Sequence, residues 1–354
     1  MTFENKAFQI GMGIMSGTSL DGVDIAVVRF DAYPKFEFLH LAHIPYSGFW
    51  IKSLGEAPSL AADDFLKLEN EYSCYLAAEI TKVIKGLEFK VDFIACHGHT
   101  IFHQPEHHFT YQLCNGNIIA AETGITTVCD FRRGDVALGG QGAPLVPIGD
   151  ALLFGNYAAC LNLGGFANIS FQSNDDRIAY DIGPANLPLN YYASKTGLAY
   201  DDKGMLARSG SMDRATLDKL NNLPFYQKSY PKSLGREWVE REILPLVSPL
   251  SDRDALATLT EHIANQIARA LNSFSKRDKI LATGGGCFND FLIEGIRRSV
   301  KCEIQIPDRA LIDYKEALIF ALLGKLRLEG RANALRSVTG ALRDNSSGAI
   351  YYPL

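Results

Sequence analysis

The sequence predicts an α/β fold divided into two domains, and three observations lead to it. Apolar residues at strand spacing and at helix spacing alternate along the whole chain. An apolar strand, a glycine-centred turn and a second apolar strand stand near the start. The same arrangement returns at "YAACLNLGGFANISFQ", a weak internal repeat with one hairpin per domain. At 354 residues the chain also exceeds what one small core fills.

Taken in order, Ile10, Met12 and Ile14 alternate with small residues, and Val23, Ile25 and Val27 alternate after the turn, so the period is two on both sides. Residues 59 to 87 carry Leu60, Phe65, Leu68, Tyr72, Leu76, Ile80 and Val83 near helical spacing. "KVDFIACHGHT" reads as a strand that leaves into a polar loop, and "ITTVCDFRRGDVALGGQGAPLVP" as a strand running into a charged, glycine-rich loop. Leu256, Leu259, Ile263, Ile267, Leu271 and Phe274 predict an amphipathic helix over 254 to 276. "KILATGGGCFNDFL" predicts strand, triple glycine, helix, and "YKEALIFALLGKLRLEG" a last helix ending at Gly330. The domain boundary is expected just after the strand at 126 to 131. The first domain is then 1–133, rejoined by 336–354, and the second is 134–335.

Composition removes several classes. Apolar residues make up 47% and charged residues 21%, and the formal net charge is −5, so no general affinity for nucleic acid or acidic membrane is expected. Seven scattered cysteines with no CxxC pair argue against a disulfide framework and a zinc knuckle. No run of about eighteen apolar residues predicts a membrane span, and the N-terminus lacks the apolar core of a signal peptide. A reducing cytoplasm is the expected setting.

The chemistry-bearing residues cluster in turns. Ser16, Gly17, Thr18, Ser19 and Gly22 offer backbone N–H groups and hydroxyls to anionic oxygens, with glycine removing the steric obstacle. Asp21 and Asp24 are placed to hold magnesium through its waters. The bland alternative is a structural hairpin, and the GK[ST] ending of a Walker A loop is missing. "LNLGGFANIS" and "ATGGGCFND" add two further glycine turns. Three on one chain fit a nucleotide gripped by two hairpins, with a helix N-terminus flanking its adenosine end.

Asp181 in "AYDIGPANLPLN" sits where a strand end projects an acid, either as a general base or as a side-chain cap of the Gly-Pro turn. Glu316 heads an apolar helix, where it also favours the macrodipole. In "CHGHTIFHQPEHH" neither HExxH nor a tetrahedral set emerges, so polar substrate contact by His99 and Thr100 is the better reading than zinc. Asp130, Arg132, Arg133 and Asp135 share one loop, where arginine either forks onto a ligand carboxylate or pairs with its neighbours.

Together "IMSGTSLDGVDIA", "DFRRGDVALGGQGAPLVP", "NLGGFANI", "DIGPAN", "PKSLGRE" and "ATGGGCFN" resemble, in order and over nearly the whole chain, the signatures of the anhydro-N-acetylmuramic acid kinases. That family belongs to the actin, hexokinase and chaperone-ATPase superfamily. The resemblance implies two domains of this ribonuclease H-like fold flanking a nucleotide-binding cleft. It implies a cytoplasmic phosphotransferase that uses ATP and Mg2+, with 1,6-anhydro-N-acetylmuramic acid as its small-molecule partner and a homodimer as a possible assembly.

Carried over by motif, Gly17, Thr18, Ser19, Leu20, Asp21, Gly22, Val23 and Asp24 would bind the ATP phosphates and magnesium. Gly164, Gly165, Gly284, Gly285, Gly286 and Asn289 would complete the nucleotide site. Asp181 would be the catalytic base, and His99, Thr100, Asp130, Arg132 and Glu316 would lie around the sugar. His99 stands where the family usually shows glutamine, and Phe102 where arginine is frequent. Ile182 and Ala185 replace the commoner threonine and glycine, and "QLCNG" a usual Gly-Asp. A kinase of another sugar or acid, and an ATP-operated or sugar-sensing switch, are the rival readings.

Overall fold

A computed structural model describes residues 8–353. Contacts divide the chain into two compact units. One runs to Leu153 and resumes at Tyr314; the other is Phe154–Asp313. Sequence patterning placed the breaks at 133/134 and 335/336. Two contacts keep the intervening stretches with the first unit: a buried ion pair of Lys315 with Asp150 at 2.8 Å, and the seating of Gly149 against the Ile319 side chain.

The first unit is built on a sheet of β1 (Gln9–Ser16), β2 (Gly22–Phe30), β3 (Phe36–Pro45), β4 (Phe93–Gln104), β5 (Phe109–Leu113), β6 (Thr127–Cys129) and, from the C-terminal end, β12 (Ala349–Tyr351). Its order is β12-β6-β4-β1-β2-β3, with β5 paired to β4. β1, β2 and β3 form an antiparallel meander, and β4 and β6 run parallel to β1. The second unit carries β7 (Ala159–Leu163), β8 (Phe166–Ser173), β9 (Asp176–Pro184), β10 (Lys279–Thr283) and β11 (Glu303–Gln305) in the order β11-β10-β7-β8-β9. The two orders are the same pattern twice: a meander, then parallel strands added beside its first member. This is the ribonuclease H-like sheet of the actin/hexokinase-like fold, and the weak repeat in the sequence is its trace.

β1 shows how residue choice sets the layers. Successive strand side chains point to opposite faces. Ile10, Met12 and Ile14 share a core with Tyr72, Leu76 and Ile80 of the helix Ala62–Lys85. On the other face stand Gly11 and Gly13. A Cβ on Gly13 would lie 1.8 Å from the Ala317 carbonyl oxygen, so the helix Arg309–Leu328 rests its backbone directly on the strand. That helix is buried all round from Ala317 to Leu323, which explains its unbroken apolar run.

In the second unit Leu161, Leu163 and Ile169 pack with Leu256, Leu259, Ile263 and Ile267 of the helix Asp252–Ala270. The Ser251 hydroxyl caps that helix by accepting from Asp254 N–H.

Two expectations are corrected. The polar cluster after "FIAC" is not a loop: β4 continues to Gln104 and forms a hairpin with β5, because its polar groups are paired across the ladder. Glu316 is not at a helix head, since seven helical residues precede it, so the macrodipole does not account for it. No helix among the described residues is long and apolar enough to cross a membrane.

Gly13→Ala forces helix backbone away from β1 and is expected to cost about 1–3 kcal/mol, read as a lowered thermal midpoint. Gly48→Ala, where nothing lies within 4 Å of the new methyl, is expected to leave the midpoint unchanged or slightly raised. Equal midpoints for the two variants would contradict this packing.

Candidate active site

In the first unit, β1 ends at Ser16 and β2 begins at Gly22, leaving a short turn. Leu20 takes φ +59°, and its N–H donates weakly to the Gly17 carbonyl at 3.4 Å. Ser19 Oγ donates to Asp21 Oδ1 at 2.7 Å. A cavity of about 320 Å³ opens against this turn, lined by Met15 to Ser19 together with His97, Thr100, Arg132 and Glu316. The fold thus brings Gly17, Thr18 and Ser19 to Thr100, Arg132 and Glu316.

Other expected residues lie outside that lining. Val23 is in the core, and an added Cβ on Gly22 would strike the Ile44 carbonyl at 2.4 Å. Asp24 accepts from His43 Nδ1 at 2.7 Å. Asp130, at φ +60°, lies 3.5 Å from Arg133 Nε.

His99 also lies off the cavity. It is 4% exposed, and its Nδ1 meets Ser16 Oγ at 3.0 Å. Ser16 Oγ continues to Tyr46 OH and on to Tyr72 OH, 2.6 Å each. The histidine that lines the cavity is His97. Strand alternation alone would give 97 and 99 the same face. Gly98 breaks it at φ +75°, beside a shift in the β1–β4 register, so that 97 and 100 face the cavity. Of the residues that depart from the family pattern, Phe102 joins the Phe65 and Phe109 rings, and Asn115 caps the helix Gly116–Thr123.

His97 was missed as a functional candidate. Arg132 Nε donates to His97 Nε2 at 3.0 Å, and Arg132 Nη1 to the Gly142 carbonyl at 2.8 Å. The lone pair on Nε2 places the His97 proton on Nδ1, which donates to the Gly98 carbonyl at 2.8 Å. Burial and then the Arg132 charge keep this imidazole well below its ordinary pKa, hence neutral. Burial lowers Arg132 to about 10, opposed by Glu316. Glu316 is raised by burial, with Arg132 and Lys315 opposing and Asp24 and Asp21 adding to the rise.

Among the described residues no group of three His, Cys, Asp or Glu side chains is arranged to hold a metal directly. Asp21 Oδ1 accepts from Ser19 Oγ and Asp24 Oδ1 from His43 Nδ1, so both carboxylates are oxygen donors oriented by a neighbouring side chain. That donor set fits magnesium held through its waters and no tighter arrangement.

The second unit assembles its own glycine turns. Ala185 and Leu187 N–H donate to the Gly165 carbonyl at 2.9 and 3.1 Å, and Asn186 N–H to the Gly164 carbonyl at 3.0 Å. Asn186 Nδ2 donates to the Leu163 carbonyl at 3.0 Å. Gly284 has φ +87°, and a Cβ there would lie 2.7 Å from Asn162 Oδ1. One on Gly286 would lie 2.8 Å from Leu163 Cβ, whereas Gly165 faces open space. Gly164, Gly165 and Gly284 to Gly286 are therefore one constellation. Asn289 caps the helix Asp290–Ser299, its Oδ1 accepting from Leu292 N–H at 3.0 Å, which commits that oxygen to structure.

Asp181 lies in β9, opposite Asn168 at a bulge. Its N–H donates to the Lys232 carbonyl at 3.0 Å, and its Oδ2 accepts from Leu234 N–H at 2.9 Å. The carboxylate is thus not a cap of the Gly-Pro turn. A strap from the "PKSLGRE" segment holds it, a partner that only the fold supplies. Burial raises its pKa, and the Leu234 bond opposes the rise.

One of the buried histidines, His99, gives a pH signature. Burial holds His99 to about 4, against about 6.5 in an unfolded chain. Only the unfolded state takes that proton between these values. The stability contribution is complete above pH 6.5 and declines as pH falls to 4. His99→Gln should therefore recover about 2 kcal/mol of the acid-induced loss at pH 5 relative to pH 7, measured by urea unfolding at both pH values. An unchanged difference between them would refute a buried neutral His99.

A family model described as anhydro-N-acetylmuramic acid kinase matches residues 9–353. The anhydro-N-acetylmuramic acid kinase of Vibrio cholerae is 35% identical over 372 residues, covering 98% of this chain and 99% of its own. That of Haemophilus influenzae is 34% identical over 377 residues, covering 98% and 99%. That of Pasteurella multocida is 37% identical over 364 residues, covering 96% of each. This chain belongs to the anhydro-N-acetylmuramic acid kinase family.

Proposed function

We propose that the protein opens 1,6-anhydro-N-acetylmuramic acid with ATP and water, giving N-acetylmuramic acid 6-phosphate and ADP, a step of cell-wall recycling. The observation that carries the chemistry is Asp181. It is a carboxylate partly withdrawn from water and fixed at both backbone and side chain by one strap, and no cation pairs with it among the described residues. Such a group suits a base that must accept a proton without a counter-charge holding it ionised.

In this reading water attacks the anomeric carbon and gives its proton to Asp181. The bond from that carbon to the bridging oxygen breaks, and the freed oxygen takes the γ-phosphoryl group as ADP departs. An inverting glycosidase needs a second carboxyl group as acid. Here the phosphoryl group serves as the electrophile at the leaving oxygen, so one carboxylate suffices.

The remaining roles follow from placement within each unit. Gly17, Thr18 and Ser19 in one unit, and the turns of Gly164, Gly165 and Gly284 to Gly286 in the other, offer backbone N–H groups to phosphate oxygens, with Gly165 facing open space. Asp21 and Asp24 suit magnesium through water, where it would neutralise phosphate charge. Thr100, Arg132 and Glu316 take the sugar, with Arg132 forking onto its lactyl carboxylate. His97 orients that fork from behind. A cytoplasmic setting, with ATP present and thiols reduced, suits seven cysteines that are all free.

A coupled ADP-release assay over a sugar panel tests the reaction. Release is expected only with the anhydro sugar. Release with ordinary hexoses would make the protein a simple hydroxyl kinase, and none with any sugar would remove catalysis. Asp181→Asn is expected to lower kcat by about 10²–10⁴ or more with ATP affinity within a few-fold. The acid limb of kcat/KM, set above the ordinary aspartate range by burial, should vanish with it. Near-normal turnover in the variant would remove Asp181 as base.

A further inference from the structure

The second unit holds another cavity, of about 200 Å³, on the far side of the strand that carries Asp181. Tyr180 and Ile182 line it, and Asp181 between them does not. Lys228, Lys232 and Arg269 surround it with three positive charges, and its lining contains no carboxylate. Among the described residues none of the three forms an ion pair. A small anion entering this lining meets three positive charges and no carboxylate to oppose it.

The wall is constructed. Gln266 lines the cavity and is 5% exposed, with Nε2 donating to Asn221 Oδ1 at 2.7 Å. Arg269 Nη1 donates to the Asn221 carbonyl at 2.9 Å, leaving its other N–H groups for a ligand. Tyr226 OH meets His262 Nε2 at 2.8 Å, and that buried histidine is held to about 3, so it adds no further charge. Tyr180 and Tyr230 stack at 5.5 Å and 12°, offering an aromatic face of the kind that takes the apolar face of a sugar ring. The Lys232 ammonium hangs 4.7 Å over the Phe225 ring.

We propose that this cavity binds a small sugar phosphate, with the phosphoryl oxygens on Lys228, Lys232 and Arg269 and the ring against Tyr230, and that its occupancy is felt at Asp181. A phosphomonoester carries about −1.5 to −2 charge near neutrality, enough to balance most of three cations, where a single carboxylate leaves two unbalanced. The coupling runs through one segment. The Lys232 side chain faces the cavity while the Lys232 carbonyl takes the Asp181 N–H, and Leu234 N–H holds the Asp181 carboxylate. A ligand gripping Lys232 steadies or displaces the strap that positions this acid. The binding half of the proposal stands alone, and the coupling half rests on Asp181 being the base.

Isothermal titration of the intact enzyme with glucose 6-phosphate, glucose and inorganic phosphate tests it, with ADP present to fill the nucleotide site. Glucose 6-phosphate is expected to bind and glucose not to. Lys228→Gln and Arg269→Gln should each weaken binding at least about tenfold. Lys228 is exposed, so its variant is expected to fold and to turn over normally without the ligand. Asp181→Asn should still bind, which separates failure of this site from failure of the catalytic reading. In steady-state assays the ligand should change kcat without competing with ATP or the anhydro sugar, and K228Q should abolish that effect. Inorganic phosphate binding as tightly as glucose 6-phosphate would support the site and identify free phosphate as the occupant. No binding, or binding that neither variant weakens, would overturn the site. Binding with unchanged kcat would overturn the coupling.

Discussion

The first unit depends on one close approach, that of the helix Arg309–Leu328 to β1 at Gly13. No side chain separates Gly13 from the Ala317 carbonyl, so the helix lies against the strand at backbone distance. Glu316 immediately precedes Ala317, and Ser16 lies three residues beyond Gly13. The contact that seals the core therefore also places a cavity-lining acid beside the turn Gly17–Ser19. Gly324 repeats the device further along, where a Cβ would lie 2.5 Å from that of Ala95. Stability and site geometry are set by the same absent methyl groups.

Around that acid the electrostatics are arranged by burial. His97 is buried, Arg132 is half-buried and Glu316 keeps a solvent-facing side, and desolvation costs each some preference for its charged form. Taking charges out of water is expensive unless they are paired and hydrogen-bonded. His97 meets this by staying neutral and accepting from the guanidinium, and Gly142 supplies a carbonyl. The arginine is left with a fixed orientation and with N–H groups to spare toward the cavity. A preorganised cation of this kind binds a planar carboxylate without first having to be ordered.

The second unit uses the repeated sheet differently. Its meander carries the glycine turn at Gly164 and Gly165 and, on β9, the acid Asp181. The strap of Lys232 to Leu234 holds that acid from a point more than fifty residues away in sequence, and the same strap lines a cationic cavity. A carboxylate held by backbone groups keeps its direction whatever the neighbouring side chains do. Its basicity follows from burial set against one hydrogen bond.

Much of this was legible in the chain itself. Period-two and 3.6-residue patterns are local, so the opening hairpin, the helices at 62–85 and 252–270 and the strand–glycine–helix at 279–299 could be read directly. The glycine turns, Asp181 and Arg132 stood out because their residue types are chemically restrictive. What the sequence could not decide depended on distant partners. Nothing near Gly13 announces that Ala317 will lie on it. Nothing near His99 announces that a bulge at Gly98 turns it toward Ser16 and leaves His97 to hold Arg132. Composition and local periodicity determined the fold class and the candidate residues. Tertiary packing alone decided which of them face a cavity, which are buried neutral and which backbone groups hold them, because desolvation and hydrogen-bond direction arise only once remote segments meet.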